Sequence, residues 1–176
     1  MGIELDIVRL FDSNLRGFYT INTIARKLNK AYPFIHRKVH ALIKLGVLHS
    51  VQVGKSHCCT INLKSRRAVL YLTELELEKR AKLPSSVQVH AKDLERDGTL
   101  SIETAVYAND QLYVVGTGAY PGATTLSSEE FKKLLLTSPV FSNHTVLHGY
   151  ERFFAYLASL QSELDSKYNP LVQVSA

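Results

Sequence analysis

The sequence contains no aspartate or glutamate between Asp12 and Glu74, although 11 lysines and arginines lie in that interval. No apolar run approaches the roughly 18 residues that a membrane-spanning helix requires. The amino-terminal sequence MGIELDIVRL carries two acids, whereas a signal peptide begins with basic residues followed by an apolar core. These absences predict a cytoplasmic protein that does not enter a membrane.

Cysteine is also scarce, because the chain has only Cys58 and Cys59. Adjacent cysteines are poorly placed to form a structural disulfide with each other, so we expect a reducing compartment. With His57 they form the sequence SHCC, but metal ligands are usually separated by at least two residues. In a strand the two cysteines would point to opposite faces, so we expect one buried and one partly exposed thiol and no metal site.

The net charge of +5 is unevenly distributed over the 176 residues. Residues 1–83 contain 15 lysines and arginines against 6 acids, whereas residues 84–176 contain 6 against 10. Soluble surfaces usually mix charges of both signs. A folded segment with charges of one sign therefore favours a polyanionic partner such as nucleic acid, and the alternative is a basic surface without any partner.

Apolar residues in the acid-free interval follow helical spacing and predict two helices joined by a polar break at 29–32. Their apolar positions are Ile21, Ile24, Ala25 and Leu28 in the first helix and Ile35, Val39, Leu42 and Ile43 in the second. Pro33 fits the first turn of the second helix, and Gly46 is a typical helix terminator. An amphipathic helix is predicted upstream, at 3–11.

After Gly46 the apolar period changes from 3.6 residues to 2. The pattern predicts a hairpin with strands at 47–53 and 58–63 and a turn at 54–57. Helix, turn, helix and hairpin is the order of elements in a winged helix-turn-helix domain. The fold class predicted from the whole sequence is therefore α+β, a winged helix-turn-helix domain followed by a small α/β domain.

The segment TIARKLNKAYPFIHRKVHALIKLGVL resembles the core of the MarR-like and ArsR-like winged-helix DNA-binding domains. In these families the recognition helix ends in L-x-x-x-G followed by a hydrophobic residue, as it does here at Gly46. The resemblance covers about residues 3–64. It implies DNA binding, with the second helix in the major groove. We therefore predict a transcriptional regulator that binds double-stranded DNA sequence-specifically as a homodimer.

Several side chains of this region are predicted to contact DNA. Arg37 is expected to read bases, because arginine can donate two hydrogen bonds to guanine, and Lys38 and Lys44 are expected to contact phosphates. Lys55 at the hairpin tip is expected to reach the minor groove or the backbone. The other predicted contacts are Arg26, Lys27, Lys30, Tyr32, Phe34, His36, His40 and His57.

The sequence HRKVH places His36 and His40 at the spacing of the H-E-x-x-H helix of zinc proteases. Arg37 occupies the position at which those enzymes need the glutamate that acts as general base. The sequence therefore predicts no zinc protease.

A helix is predicted at 65–83, with Ala68, Leu72 and Leu75 on one face. It is more apolar than a small winged domain requires, so it is a candidate dimer helix. Pro84 then interrupts the pattern, and we predict two domains, at 1–83 and 84–176.

The second half is predicted to have the order β-β-α-β-α. The strands are expected at 100–107, 111–115 and 145–147, with a turn at Asn109-Asp110 and a glycine-rich loop before the first helix. Ser127 and Glu130 have the spacing of a capping box at the start of that helix. The last helix is amphipathic and covers 149–164.

The segment LSSEEFKKLLLTSPVFSNHTVLHGYERFFAYL is similar to the C-terminal part of small archaeal nucleotidyltransferase-like domains, over about residues 125–158. That chemistry requires a G-S motif followed by D-x-D, whose paired carboxylates hold two metal ions. The chain has neither motif, and Asp110 has no second acid at the required spacing. The resemblance implies a degenerate domain without catalysis, so we predict no active site and no cofactor.

Two functions therefore follow from the sequence. In the first, a DNA-binding regulator uses its acidic C-terminal domain for dimerisation, ligand sensing or a protein partner. In the second, the chain is a nucleotidyltransferase-like protein, degenerate or antitoxin-like, that acts on a nucleotide or a protein partner. The missing carboxylate pair favours the first.

Overall fold

The computed structural model describes residues 2–12, 15, 17–96, 101–137 and 143–168, and these residues form a mixed α and β fold. Their elements are α1 (Ile3–Asp12), α2 (Ile21–Lys27), α3 (Tyr32–Lys44), β1 (Leu48–Val53), β2 (Ser56–Ile61), α4 (Arg66–Ala81), α5 (Ser85–Arg96), β3 (Ser101–Ala108), β4 (Gln111–Thr117), β5 (Ala123–Leu126), α6 (Ser128–Thr137), β6 (His144–His148) and α7 (Tyr150–Tyr168). Leu100, where the first strand of the second half was predicted to begin, lies outside the described residues.

The chain divides into two compact units. Unit 1 consists of Met1–Leu72 and Gln161–Ala176, and unit 2 consists of Thr73–Leu160. This division falls inside α4, whereas the sequence places a domain boundary after residue 83. The difference arises because side chains in the second half of α4 form hydrogen bonds with β6, which belongs to unit 2.

In unit 1 the three predicted helices are confirmed, and their apolar faces form a buried core. Its fully buried side chains include Ile7, Val8, Phe11, Ile24, Ile35, Val39 and Leu42. The Oγ1 atom of Thr20 caps α2 by accepting a hydrogen bond from the backbone N of Thr23 at 3.1 Å. Pro33 lies in the first turn of α3, and Gly46 follows its end with φ +72°.

The hairpin is confirmed, but its turn is shorter than predicted. Val53 pairs with Ser56, so Gly54 and Lys55 alone form the turn and His57 lies within β2. Gly54 has φ +59°, a conformation that glycine adopts without strain and that allows a two-residue connection.

Both cysteines of β2 are buried, so the predicted partly exposed thiol was wrong. All residues from Cys58 to Ile61 are buried, because both faces of this part of the strand are covered. On one edge Tyr19 exchanges two backbone hydrogen bonds with Cys59, at 2.8 and 3.0 Å. Burial raises the pKa of Cys59 to about 11, so this thiol is not a reactive thiolate at neutral pH.

Unit 2 contains a four-stranded sheet of order β5-β4-β3-β6. β3 is antiparallel to β4 and β6, whereas β4 and β5 are parallel. The predicted turn at Asn109-Asp110 is confirmed, and both residues have positive φ, as the tightest hairpin turns require. The predicted element order was incomplete, because it contained neither α5 nor β5.

The hydrophobic core of unit 2 contains side chains of its helices and of its sheet. Val87, Ala91 and Leu94 of α5 pack in one cluster with sheet residues that include Ala105 and Val114. α6 and α7 contact each other through the rings of Phe131, Phe153 and Tyr156. In the described residues, no helix combines the length and apolar content needed to cross a membrane.

The predicted capping box at the start of α6 is confirmed. The backbone N of Ser127 donates to Glu130 Oε2 at 2.8 Å, and the backbone N of Glu130 lies 3.3 Å from Ser127 Oγ. These reciprocal hydrogen bonds satisfy donors that a helix terminus would otherwise leave unpaired.

Candidate nucleic-acid interface

α3 presents a polar stripe on the face opposite its buried residues. Ile35, Val39 and Leu42 have no exposed surface. Arg37, His40 and Lys44 are exposed, and their spacing of three, four and seven residues places them on one side of the helix. We call these three residues the α3 stripe. The same periodicity that builds the core therefore aligns two cations and an imidazole on the surface.

A row of rings runs along one flank of the α3 stripe. The rings of Tyr32 and His36 are 5.7 Å apart, and those of His36 and His40 are 4.3 Å apart, measured between centroids. Tyr32 lies at the start of the helix and is 48% exposed. Rings in this position can contact bases or the methyl group of thymine.

The other flank of α3 faces α1. The Nζ atom of Lys38 lies 2.7 Å from Glu4 Oε1 and 6.0 Å from the centroid of the Phe34 ring. The hydrogen bond from Lys38 lowers the pKa of Glu4, which keeps the pair charged at neutral pH. Both Lys38 and Phe34 were predicted to contact DNA; here Lys38 joins α3 to α1, and the half-buried Phe34 ring lies beside Lys38 on the same helix.

The predicted contacts outside α3 are accessible. Arg26, Lys27 and Lys30 are exposed at the end of α2 and in the turn that follows it. The Nζ atom of Lys27 lies 5.5 Å from the centroid of the Tyr19 ring. Lys55 is exposed at the hairpin tip, and His57 is exposed two residues later.

The acids of the first 72 residues are confined to α1. They are Glu4, Asp6 and Asp12. Glu4 pairs with Lys38, and Asp6 lies 3.9 Å from Arg9 of its own helix. Within the part of the chain that the structure describes, no carboxylate forms an ion pair with Arg26, Arg37, Lys44 or Lys55. The surface formed by α2, α3 and the hairpin therefore carries cations that are available to an external anion.

Sequence reasoning missed a second group of exposed cations. Lys64, Arg66 and Arg67 follow the hairpin directly and are all exposed. Ser65 to Arg67 were visible in the sequence only as the start of the helix predicted at 65–83. Their position next to the end of α3 could not be read from the sequence, because it depends on a hydrogen bond between residues 46 and 62.

Unit 2 contains a buried carboxylate that the sequence did not reveal. Glu76 has no exposed surface, and its Oε2 atom accepts a hydrogen bond from the backbone N of Val146 at 2.7 Å. Its Oε1 atom lies 2.6 Å from Lys79 Nζ and 3.5 Å from His144 Nε2. Because β6 is an edge strand, Glu76 satisfies a backbone group that lacks a partner strand.

A second carboxylate of unit 2 joins three elements. Glu103 accepts hydrogen bonds from the hydroxyl groups of Tyr156 and, at 3.1 Å, Ser128. The hydrogen bond from Tyr156 holds the pKa of Glu103 below its usual value. Burial and this carboxylate in turn raise the pKa of Tyr156. These groups bind one another, so they stabilise the packing of α6 and α7 on β3.

No metal centre is found among the residues that the structure describes, since none of their groups of three or more His, Cys, Asp or Glu is arranged to hold an ion.

The chain matches no protein-family model, no curated protein and no solved structure. The interpretation of this surface therefore depends on its own chemistry.

Proposed function

We propose that this protein binds double-stranded DNA through unit 1, as a winged helix-turn-helix whose recognition helix is α3 and whose wing is the β1-β2 hairpin. The observation that carries the proposal is the alignment of exposed cations on α3 and at the hairpin tip, with which no carboxylate of the described residues pairs. Their alignment occurs in a folded segment that has no acid of its own. The phosphate backbone of nucleic acid is the common biological polyanion that matches an extended surface of this kind.

The dimensions of α3 fit this role. The helix has 13 residues and is therefore about 20 Å long. The major groove of DNA is about 12 Å wide and admits one α-helix. Arg37 lies in the second turn of α3, where recognition helices usually contact base edges.

We divide the side chains of this surface into those that contact bases and those that contact phosphates. We assign base contacts to Arg37, with Tyr32, His36 and His40 beside it. Phosphate contacts belong to Arg26, Lys27, Lys30 and Lys44, and Lys55 and His57 act from the wing. Lys38 is left out because it is paired with Glu4. Phe34 is left out because it is half-buried beside Lys38.

We further propose that the protein is a cytoplasmic regulator of transcription that acts as a homodimer. α4 supports this proposal, because Leu70 and Leu77 are one heptad apart and remain 60% and 46% exposed. Exposed leucines at heptad spacing are typical of helices that pair with a second helix. A two-fold symmetric protein would bind two half-sites about one helical turn of DNA apart.

Binding of a labelled duplex, followed by fluorescence anisotropy, tests the proposal. The variant Arg37→Gln/Lys44→Gln removes two charges from the α3 stripe. Lys92→Gln/Lys133→Gln removes two charges from exposed positions in unit 2 and is the matched control. We expect the first variant to lose most of its affinity and the control to bind like the wild type. Equal affinities of both variants would reject the proposed interface.

The nucleotidyltransferase alternative stays a prediction. Asp110, the acid considered for it, accepts a hydrogen bond from Tyr107 at 3.0 Å. The test is incubation of the protein with labelled ATP and magnesium or manganese. Transfer of label would support the alternative, because the reaction requires carboxylates that hold metal ions.

A further inference from the structure

We infer that Lys64, Arg66 and Arg67 form a second phosphate-binding surface, which contacts the backbone of the same DNA duplex beside the end of α3. We call these three residues the α4 cluster. The inference rests on the proposed function and extends the interface to residues that neither the sequence pattern nor the recognition helix assigns.

Asn62 attaches the α4 cluster to the end of α3. Its Nδ2 atom donates to the carbonyl oxygen of Gly46 at 2.8 Å, and its backbone N donates to that of Val47 at 3.0 Å. Its Oδ1 atom accepts a hydrogen bond from the backbone N of Lys64 at 3.2 Å. The Asn62 side chain therefore bonds to Gly46, just after α3, and to the first residue of the cluster.

This attachment places the α4 cluster close to the α3 stripe. Lys44 precedes Gly46 by two residues, and Lys64 follows Asn62 by two. Two residues span at most about 7 Å of chain, so neither lysine can lie far from the hydrogen bond between Asn62 and Gly46. The cation at the end of α3 and the first cation of the α4 cluster thus both lie near this hydrogen bond.

The arginines of the α4 cluster point away from the protein core. Their neighbours on the buried side of α4, Ala68 and Leu72, have no exposed surface, whereas Arg66 and Arg67 are exposed. The first turn of α4 contains no acid, and the next acid in the chain is Glu74. Among the described residues, no carboxylate pairs with any of the three cations.

Three cations within four residues repel one another unless an anion neutralises them. Phosphate is a suitable anion, because the planar guanidinium group of arginine can donate two parallel hydrogen bonds to phosphate oxygens. Contacts of this kind carry no sequence information. The α4 cluster should therefore strengthen binding to specific and random DNA by similar factors.

The test is the salt dependence of DNA binding by the full chain. The variant Lys64→Gln/Arg66→Gln/Arg67→Gln removes the cluster and retains residues that favour a helix. If each cation contacts one phosphate, the slope of log K against log salt becomes less negative by about 2.7 units. The variant Lys92→Gln/Arg96→Gln/Lys133→Gln removes the same charge from unit 2, and its slope should equal that of the wild type.

A second variant separates lost contacts from misfolding. Arg66→Lys/Arg67→Lys keeps both charges and should keep the wild-type slope. An unchanged slope in the glutamine variant would overturn the inference while leaving the proposed function intact. An equal change in the unit 2 control would overturn both, because binding would then not reside in unit 1. Failure of the wild type to bind any duplex would instead reject the proposed function and the inference together.

Discussion

Unit 1 and unit 2 use their charged side chains in opposite ways. In unit 1, ion pairs involve the acids of α1, one of which binds Lys38 of α3. The other cations of α2, α3 and the hairpin are exposed, and no carboxylate among the described residues pairs with them. In unit 2, Glu76 pairs with Lys79, and Arg80 pairs with Glu95 at 2.7 Å. The same residue types are therefore exposed to solvent in one unit and take part in internal contacts in the other.

This difference shows that net charge alone does not identify a binding surface. Arg80 and Arg37 are both arginines in the basic half of the sequence. Arg80 donates hydrogen bonds to Glu95 and to the backbone oxygen of Leu147 and is thereby committed to the fold. Arg37 has no such partner in the described parts of the chain, so removing it should alter binding and leave stability nearly unchanged.

The largest effect is expected where unit 2 buries a charge. Glu76→Ala removes the acceptor for the backbone of Val146 and the carboxylate that pairs with Lys79, which should cost about 3 kcal/mol of unfolding free energy. Urea denaturation measures this loss. Glu74→Ala, an exposed neighbour on the same helix, should change stability by less than about 0.5 kcal/mol. Similar losses in both variants would show that the buried contacts of Glu76 contribute little.

Replacement of single cations in unit 1 should act on binding instead. Arg37→Ala should cost about 1–3 kcal/mol on a preferred duplex and much less on random DNA, because a bidentate base contact is lost. Binding isotherms on a selected and a scrambled duplex, each at two salt concentrations, measure both effects.

Lys55→Ala is the comparison for Arg37→Ala. It should weaken binding to both duplexes by similar factors and reduce the salt slope by about one unit. If Arg37→Ala left the ratio of specific to random binding unchanged, α3 would not be the recognition helix.

A smaller effect is expected at Glu103, where the prediction depends on pH. The pKa of Glu103 is lowered in the folded state. The stabilisation by its carboxylate is therefore complete above pH 4.5, the unfolded pKa, and disappears as the pH falls through the folded pKa. Tyr156→Phe should therefore cost about 1 kcal/mol at pH 7, because a half-buried hydrogen bond to a carboxylate is lost.

Urea denaturation at pH 7 and at pH 3.5 measures how far that cost shrinks in acid. Tyr113→Phe is the control, because its hydroxyl bonds to the neutral side chain of Gln111 at 3.0 Å. Its effect should not depend on pH in this range. A cost for Tyr156→Phe that stays constant with pH would contradict the role assigned to the Glu103 carboxylate.

The smallest effect is expected at Arg66, where binding and stability should change in opposite directions. Cations are unfavourable at the N-terminus of a helix, so Arg66→Glu should raise the unfolding free energy by about 0.5 kcal/mol. It should also weaken DNA binding. Arg96→Glu, at the C-terminal end of α5, should instead lower stability by a similar amount. Thermal unfolding compares the two, and loss of stability in both would contradict the helix-dipole argument.

Elements with a strong local pattern could be predicted from the sequence. The buried stripe of α3 and the capping box of α6 depend on residues within a few positions of each other, and the structure confirms both. α5 was missed although Val87, Ala91 and Leu94 have helical spacing, because Pro84 was interpreted only as a break. Proline is also compatible with the residues just before a helix.

Contacts between distant residues could not be predicted. β5 has only four residues and pairs in parallel with β4, so its partner is not reached by a tight turn. Glu76 lies in the run ELELEK, which predicts a charged face, and its burial depends on β6, 70 residues later. For the same reason the pairing of Lys38 with Glu4 was not visible in the acid-free segment.

The most direct test of the central claim is the dependence of DNA affinity of the wild-type chain on salt. If α3, the turn before it and the hairpin contact about five phosphates, the slope of log K against log salt should be about −4.5. Affinity should then fall by a factor of a few hundred between 50 and 200 mM salt. An affinity that stays constant over this range would contradict the claim that the unpaired cations of unit 1 bind nucleic acid.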